Sequence, residues 1–333
     1  MLFPHSIERT IGRALTVAAA ILALGLSALA ATAITDMTIN RAVVEELSSS
    51  PRTSIEALAI APDSRTLACG LSDGRLILLD VQSRSTVRSL ALHEAPITAR
   101  SFSPEGTWFA SSDLKGRLVV WDVAAGDVET SWDLGRAVHD VDFSPLGTWL
   151  LCSGAIRSIL RWETKTWRSL DPLVGHSGRV YSFAVSPQED PLVTGAGDDD
   201  PSIRVWSLPE GSALPRDDLY EGRIHDIEYS PKDPHTCIAG TQRVWLWEVD
   251  RGDYWHLTGY YLGDVYDLAY SSRGNAIVTA CEDGSIQFLR VPSWYVRRKT
   301  GSDQPMTAVD YSENRLTIVC GDAAGTLFVL TTP

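Results

Sequence analysis

Residues 97–132, ITARSFSPEGTWFASSDLKGRLVVWDVAAGDVETSW, decide the fold. Ile97–Phe102 reads as a strand and Ser103–Gly106 as a turn. Thr107–Ser111 reads as a second strand, closed by the turn Asp113–Gly116. Arg117–Trp121 follows as a third strand, and Asp127–Trp132 as a fourth after the turn at Ala124–Gly126. Short β-rich runs punctuated by Gly, Pro and Asp at this spacing make a four-stranded antiparallel meander. One such sheet cannot bury both of its faces alone, but several packed around an axis can.

The stretch repeats. The second position of its first turn recurs at Pro62, Pro104, Pro145, Pro187, Pro231, Ser272 and Glu313, about every 42 residues. A beat this regular marks an array of equal supersecondary units. The expected fold is all-β, a seven-bladed β-propeller of four-stranded antiparallel blades over residues 53–333. Repeat 7 ends at Pro333 without a fourth strand. Upstream, Asn40–Leu47 reads as a strand within the segment 36–52, and Val43–Leu47 is expected to pair with the C-terminal strand. That closure would remove an exposed edge.

Residues 1–35 are expected to form an N-terminal hydrophobic helix. Ala14–Thr35 is a run of 22 residues without a charge, preceded by Arg9 and Arg13. It is long enough to cross a bilayer, and the basic flank favours an N-in, C-out orientation. A signal anchor that stays as a membrane span is one reading. A signal peptide cleaved after Ala28-Leu29-Ala30 or Ala31-Thr32-Ala33 is the other. Either places residues 36–333 outside the cytoplasm, membrane-anchored in the first case and secreted or periplasmic in the second.

Composition narrows the function. The net charge is −13, and without residues 1–35 it is −14. A binder of the phosphate backbone needs the opposite sign, so nucleic acid is not expected. Five cysteines without a CxxC pair and seven histidines without HExxH give neither a zinc nor a disulfide framework, and no metal or cofactor is expected. Cys69, Cys152 and Cys320 fall in one column with Ser111, Thr194 and Thr279, seven residues after the turn position. That column wants a small buried side chain, which Cys supplies. Gly70–Gly74 matches GxSxG, but a nucleophile elbow needs a following helix, and here a strand follows. Asp198-Asp199-Asp200 reads as a solvated loop.

Trp121-Asp122, Trp162-Glu163, Trp206-Ser207 and Trp247-Glu248 end the third strands, and Gly175-His176 opens repeat 4. Over about residues 41–333 the chain resembles the WD-repeat family of β-propellers. In that family a His, a Ser or Thr, an Asp and the Trp brace a blade. The resemblance implies a brace of His176, Thr194 and Trp206 with one of Asp198, Asp199 or Asp200. It implies a second of His93, Ser111 and Trp121, with its Asp left open.

Aligning each first strand on its opening apolar residue gives the next column: Glu56, Thr98, His139, Tyr181, His225, Tyr266 and Thr307. The resemblance places this column on the rim used for partner contact. His139, Tyr181, His225 and Tyr266, with Arg179, Arg223 and Asp264 just before the strands, form the expected partner arc. Aromatic and Arg side chains are the types enriched at binding hot spots. Asp140 and Asp226 follow His139 and His225, and strand alternation sends neighbours to opposite faces, which argues against a catalytic dyad. Glu56 is the only acid in the inward column, so no ring of ligands is expected there. The expected function is a non-enzymatic protein-interaction scaffold that takes a protein or peptide on its rim. The alternative is an extracytoplasmic propeller enzyme of a lactonase-like or quinone-cofactor type.

Overall fold

The computed structural model describes residues 38–42, 53–197, 199–214, 218–219, 223–232, 235–240, 243–249, 253–257, 263–291, 295–312, 314 and 317–331. The expected N-terminal helix lies outside them. Among the described residues, no helix is long and apolar enough to cross a membrane.

Each repeat folds as an antiparallel meander in which successive strands pair in order. Repeat 2 shows the plan, with strands Ile97–Phe102, Trp108–Asp113, Arg117–Asp122 and Val128–Asp133 from inside to outside. The expectation of seven uniformly four-stranded blades needs correction. Among the described residues six sheets have four strands, and the sheet of repeat 4 has five. Its outer edge is split: Ser212–Ala213 and Asp218–Leu219 pair separately with Ser202–Ser207. The sequence there, Pro209 to Pro215, carries two prolines and a glycine. Pro209 lies in the turn before Ser212, and residues 215–217 lie outside the described ones.

The 42-residue beat is a turn with a defined chemistry. In repeats 2, 3 and 6 its fourth residue, Gly106, Gly147 or Gly274, has φ of +73°, +73° or +67°. Each N–H bonds back to the carbonyl of Ser103, Ser144 or Ser271 at 2.7–2.8 Å. The hydroxyls of those serines accept the backbone N–H of Trp108, Trp149 and Ala276 at 2.9, 3.0 and 3.1 Å. Each serine is buried, so its oxygen replaces water for an otherwise orphaned donor.

Second and third strands are packed on both faces and read as near-continuous apolar runs. Ala276–Cys281 is buried throughout, and Arg75–Asp80 at its four central residues. Outer strands are half or fully exposed, as in Thr86–Ala91. The core lies between sheets. Ile55, Leu58 and Leu67 of repeat 1 pack with Val319, Leu327 and Val329 of repeat 7, so the first and last repeats share one cluster. Cys69, Cys152 and Cys320 are fully buried free thiols, and burial pushes the ionisation of all three up. The GxSxG segment is strand Thr66–Leu71 followed by a turn in which Gly74 has φ +86°.

Closure uses an upstream strand, but five residues earlier than expected. Thr38–Ala42 pairs antiparallel with Leu327–Thr331, with Thr38 opposite Thr331 and Ala42 opposite Leu327. Val43–Leu47 lies outside the described residues. The apolar content of Val43-Val44 was a poor locator because outer strands are held by backbone pairing and keep little apolar surface from water.

Candidate functional site

Every inner strand carries the same irregularity. Val138 pairs with Gly154 and Asp140 with Ser153, so His139 is an extra residue in the ladder. The same shift follows Ile55, Ile97, Val180, Ile224, Val265 and Met306. A bulge bends its strand and re-aims side chains. The opening residue is fully buried in each case, while the extra residue is half-buried. The extra residues are the column Glu56, Thr98, His139, Tyr181, His225, Tyr266 and Thr307.

The bulge overturns the alternation argument. His139 and Asp140 line the same small channel mouth, as do Tyr181 and Ser182, His225 and Asp226, and Tyr266 and Asp267. Its volume is about 80 Å³. At this mouth the expected arc resolves into two groups. His139 stacks on Tyr181 with ring centroids 4.8 Å apart and planes 20° from parallel. The Arg223 guanidinium lies 4.6 Å from the Tyr181 ring centroid. In the second group His225 meets Tyr266 edge to face at 5.3 Å, and its Nε2 lies 3.0 Å from an Asp264 carboxylate oxygen. Burial lowers the His225 pKa more than Asp264 raises it, so the ring is neutral near neutral pH. Arg179 is exposed and joins neither group; it faces a different cavity.

Deeper in the channel stands a feature the sequence reading missed. Asp140, Asp142, Asp226, Glu228, Asp267 and Asp310 line a chamber of about 410 Å³ around Arg100. The absence of an acidic ring, expected from Glu56 alone, is therefore corrected. The signal was present in the second and fourth residues after the opening one, Asp140, Asp226 and Asp267, then Asp142, Glu228 and Asp310. Reading only one inward column hid it.

These carboxylates stitch neighbouring sheets together. Asp140 accepts from Phe183 N–H at 3.0 Å, Asp226 from Leu268 N–H at 3.0 Å, Asp267 from Val309 N–H at 2.8 Å, and Asp310 from Ile60 N–H at 2.6 Å. Ser182 accepts from Ile227 N–H at 3.1 Å, and Ser101 from Phe143 N–H at 3.2 Å while donating to Asp142. Arg100 completes the belt by donating through Nε to the Leu58 carbonyl. Its other arm reaches Asp267 at 3.4 Å. Burial pushes Asp140 and Asp310 up to about 6 and Asp142 up to about 7, with the Asp226 charge adding to the rise at Asp140. Burial also raises the Asp226–Asp267 pair and Glu228. Among the described residues no group of three or more His, Cys, Asp or Glu could hold a metal ion.

The residues expected to brace repeat 4 are in mutual contact. His176 Nδ1 lies 2.9 Å from Asp200 and must donate to that carboxylate. Its Nε2 bonds with the Thr194 hydroxyl at 2.7 Å, and Thr194 accepts from the Trp206 indole at 2.9 Å. Asp200 also accepts from Ser177 N–H at 2.7 Å. These bonds and that from Ser202 outweigh burial and lower its pKa to about 2. In repeat 2 His93 bonds Ser111 at 2.8 Å and Asp113 at 3.2 Å, but the buried Trp121 indole N–H has no acceptor among the described residues. Replacing His176 with alanine is expected to cost about 2–4 kcal/mol in urea unfolding, through lost hydrogen bonds and a cavity. Replacing His93 should cost less, because its chain stops short of the tryptophan.

The family described as "WD domain, G-beta repeat" matches residues 84–122, 167–207 and 254–288. Each match begins in or beside an outer strand and ends in the third strand of the next sheet, so one sequence unit spans two sheets. This is a WD-repeat propeller. Its closure, with an N-terminal strand beside the C-terminal one, is what that offset requires. The propeller is 22% identical over 72% of its length to Periodic tryptophan protein 2 homolog of Dictyostelium discoideum. It is 28% identical over 44% of its length to Protein FIZZY-RELATED 3 of Arabidopsis thaliana, and 29% over 46% to Actin-interacting protein 1-2 of that plant. The matched regions cover 27%, 31% and 26% of these relatives, so the chain spans about a third of their length or less.

Proposed function

We propose that this WD-repeat propeller is a non-enzymatic interaction scaffold that takes a polypeptide on the channel mouth formed by its inner-strand bulges. The observation that carries this reading is the paired grouping of His139, Tyr181 and Arg223 beside His225, Tyr266 and Asp264. Half-buried aromatic rings with a charged edge supply a large contact area at low entropic cost. The carboxylates below are engaged in holding sheets together, which favours binding over chemistry at this mouth.

The scaffold is proposed to sit at a membrane. The closing strand begins at Thr38, and only Asp36 and Met37 separate it from the uncharged run ending at Thr35. Three residue steps extend about 10 Å, so a retained anchor would hold the propeller against the bilayer. Alkaline extraction of membranes should leave the full chain in the pellet, and release into the supernatant would count against the anchor. Replacing Tyr181 and Tyr266 together with alanine should weaken capture of a cross-linked partner by about tenfold or more, leaving the unfolding midpoint unchanged. Equal capture by the variant would remove the arc from consideration.

A further inference from the structure

Arg136, Arg157 and Arg179 line one cavity of about 380 Å³ between repeats 3 and 4. All three are exposed, and among the described residues none forms an ion pair or a side-chain hydrogen bond. Among the described residues, Asp199 is the one acid on the cavity wall. Three unpaired guanidinium groups converging on one cavity are unexpected on a chain of net charge −13. Arg136 stands where repeats 2 and 6 have Ala95 and Gly263, while the column of Arg179 holds a second arginine, Arg223, in repeat 5.

Arg157 departs from its own column. It occupies the turn before the third strand with φ +58°, where repeats 1, 2, 6 and 7 have Gly74, Gly116, Gly284 and Gly325 at φ +76° to +93°. Ser64, Arg84, Trp167 and Glu189 also have positive φ, so what sets Arg157 apart is the guanidinium that it brings to the cavity. Local structure also fixes Arg179. Asp200 holds the backbone N–H groups of Ser177 and Gly178 at 2.7 and 3.3 Å, immediately before Arg179. The strand that carries Arg179 then carries Tyr181 into the channel mouth.

We propose that this cavity is a docking site for an acidic stretch of polypeptide, with Asp or Glu carboxylates held by Arg136, Arg157 and Arg179. Guanidinium forks match carboxylates in shape and charge. A recessed cavity on the strand that also carries Tyr181 suits side chains on a peptide, whereas a flat anionic membrane would meet cations spread over an open face. The proposal rests on the scaffold reading only in taking its occupant to be a polypeptide.

The test is binding of a fluorescent oligo-glutamate peptide to the full chain in detergent, followed by anisotropy. Inorganic phosphate and phosphatidylserine vesicles serve as comparison probes. Wild type is expected to bind the peptide in a salt-sensitive manner. Arg157→Gly should weaken binding about tenfold, the worth of one charge-assisted contact, without lowering the unfolding midpoint. Arg136→Gln with Arg179→Gln should abolish it and serves as the second variant if the first folds poorly. Peptide binding that all these variants retain overturns the proposal. So does arginine-dependent binding of vesicles or phosphate with none of the peptide. Tyr266→Ala lies in repeat 6 and should leave oligo-glutamate binding intact, which separates this site from the arc. Failure of the arc variants in partner capture would leave the arginine result standing, and the reverse holds equally.

Discussion

Replacing Arg100 with methionine is expected to destabilise the propeller by about 3–5 kcal/mol near pH 8, and far less near pH 5. Among the described residues, Arg100 is the one cation lining the chamber of Asp140, Asp142, Asp226, Glu228, Asp267 and Asp310. It also links repeat 2 to repeat 1 through the Leu58 carbonyl and to repeat 6 through Asp267. Removing it leaves half-buried carboxylates facing one another without their cation, the costly half of a broken pair. The pH dependence follows from the direction of the shifts. Asp140 and Asp310 are raised to about 6 and Asp142 to about 7, so folding favours their protonated forms. Their contribution is complete below the unfolded value of about 4 and is lost as pH rises through about 6 to 7. Asp200 runs the other way: lowered to about 2, it contributes above about 4 and loses that contribution as pH falls.

Wild type should therefore melt higher near pH 5 than near pH 8, and the methionine variant should widen that gap. Differential scanning calorimetry at both pH values is the measurement. An equal loss at both would show that Arg100 acts through packing and the Leu58 bond rather than through charge. Arg100→Lys keeps the cation without the guanidinium fork and should fall between the two.

Deleting the closing strand has the second large effect. A chain beginning at Met37 keeps Thr38–Ala42, and one beginning at Val43 lacks it. The first is expected to unfold with the full chain's propeller. The second leaves Leu327–Thr331 as an unpaired edge beside the cluster of Ile55, Leu58, Val319 and Val329. An exposed edge of this kind invites pairing with another chain. We expect a midpoint lower by about 10 °C or more, with concentration-dependent aggregation on heating. Matching midpoints for the two chains would show that the strand contributes no closure. Gly321 tests the same seam from inside. A Cβ there would meet Ile55 Cγ2 at 2.5 Å, so Gly321→Val should strain the junction of the first and last repeats.

Much of this fold was legible because its unit recurs. The Ser-Pro-x-Gly turn is readable because a left-handed glycine and a buried serine are both needed to close it. The residues of the His176, Thr194 and Trp206 chain were readable only through the resemblance to the WD-repeat family, whose brace they match. Its acid, left open among three aspartates, proved to be Asp200, the one the turn brings back to His176. The split edge of repeat 4 was not anticipated, because it is a matter of backbone pairing that leaves the hydrophobic pattern undisturbed.

The candidate site was legible only in part. The column His139, Tyr181, His225 and Tyr266 could be aligned from the sequence, but its geometry could not. A bulge adds one residue to a strand and leaves no compositional mark, so alternation sent Asp140 and Asp226 to the wrong face. The meeting of Arg136, Arg157 and Arg179 was equally hidden, since it depends on how two sheets abut. The sequence by itself determined the repeat, its turn chemistry and the small buried column of Cys69, Cys152 and Cys320, because these arise from local conformation and periodicity. Tertiary structure alone decided the belt of carboxylates around Arg100 and the strand that closes the ring. Both are contacts between residues far apart in the chain, and no periodicity encodes which of them will meet.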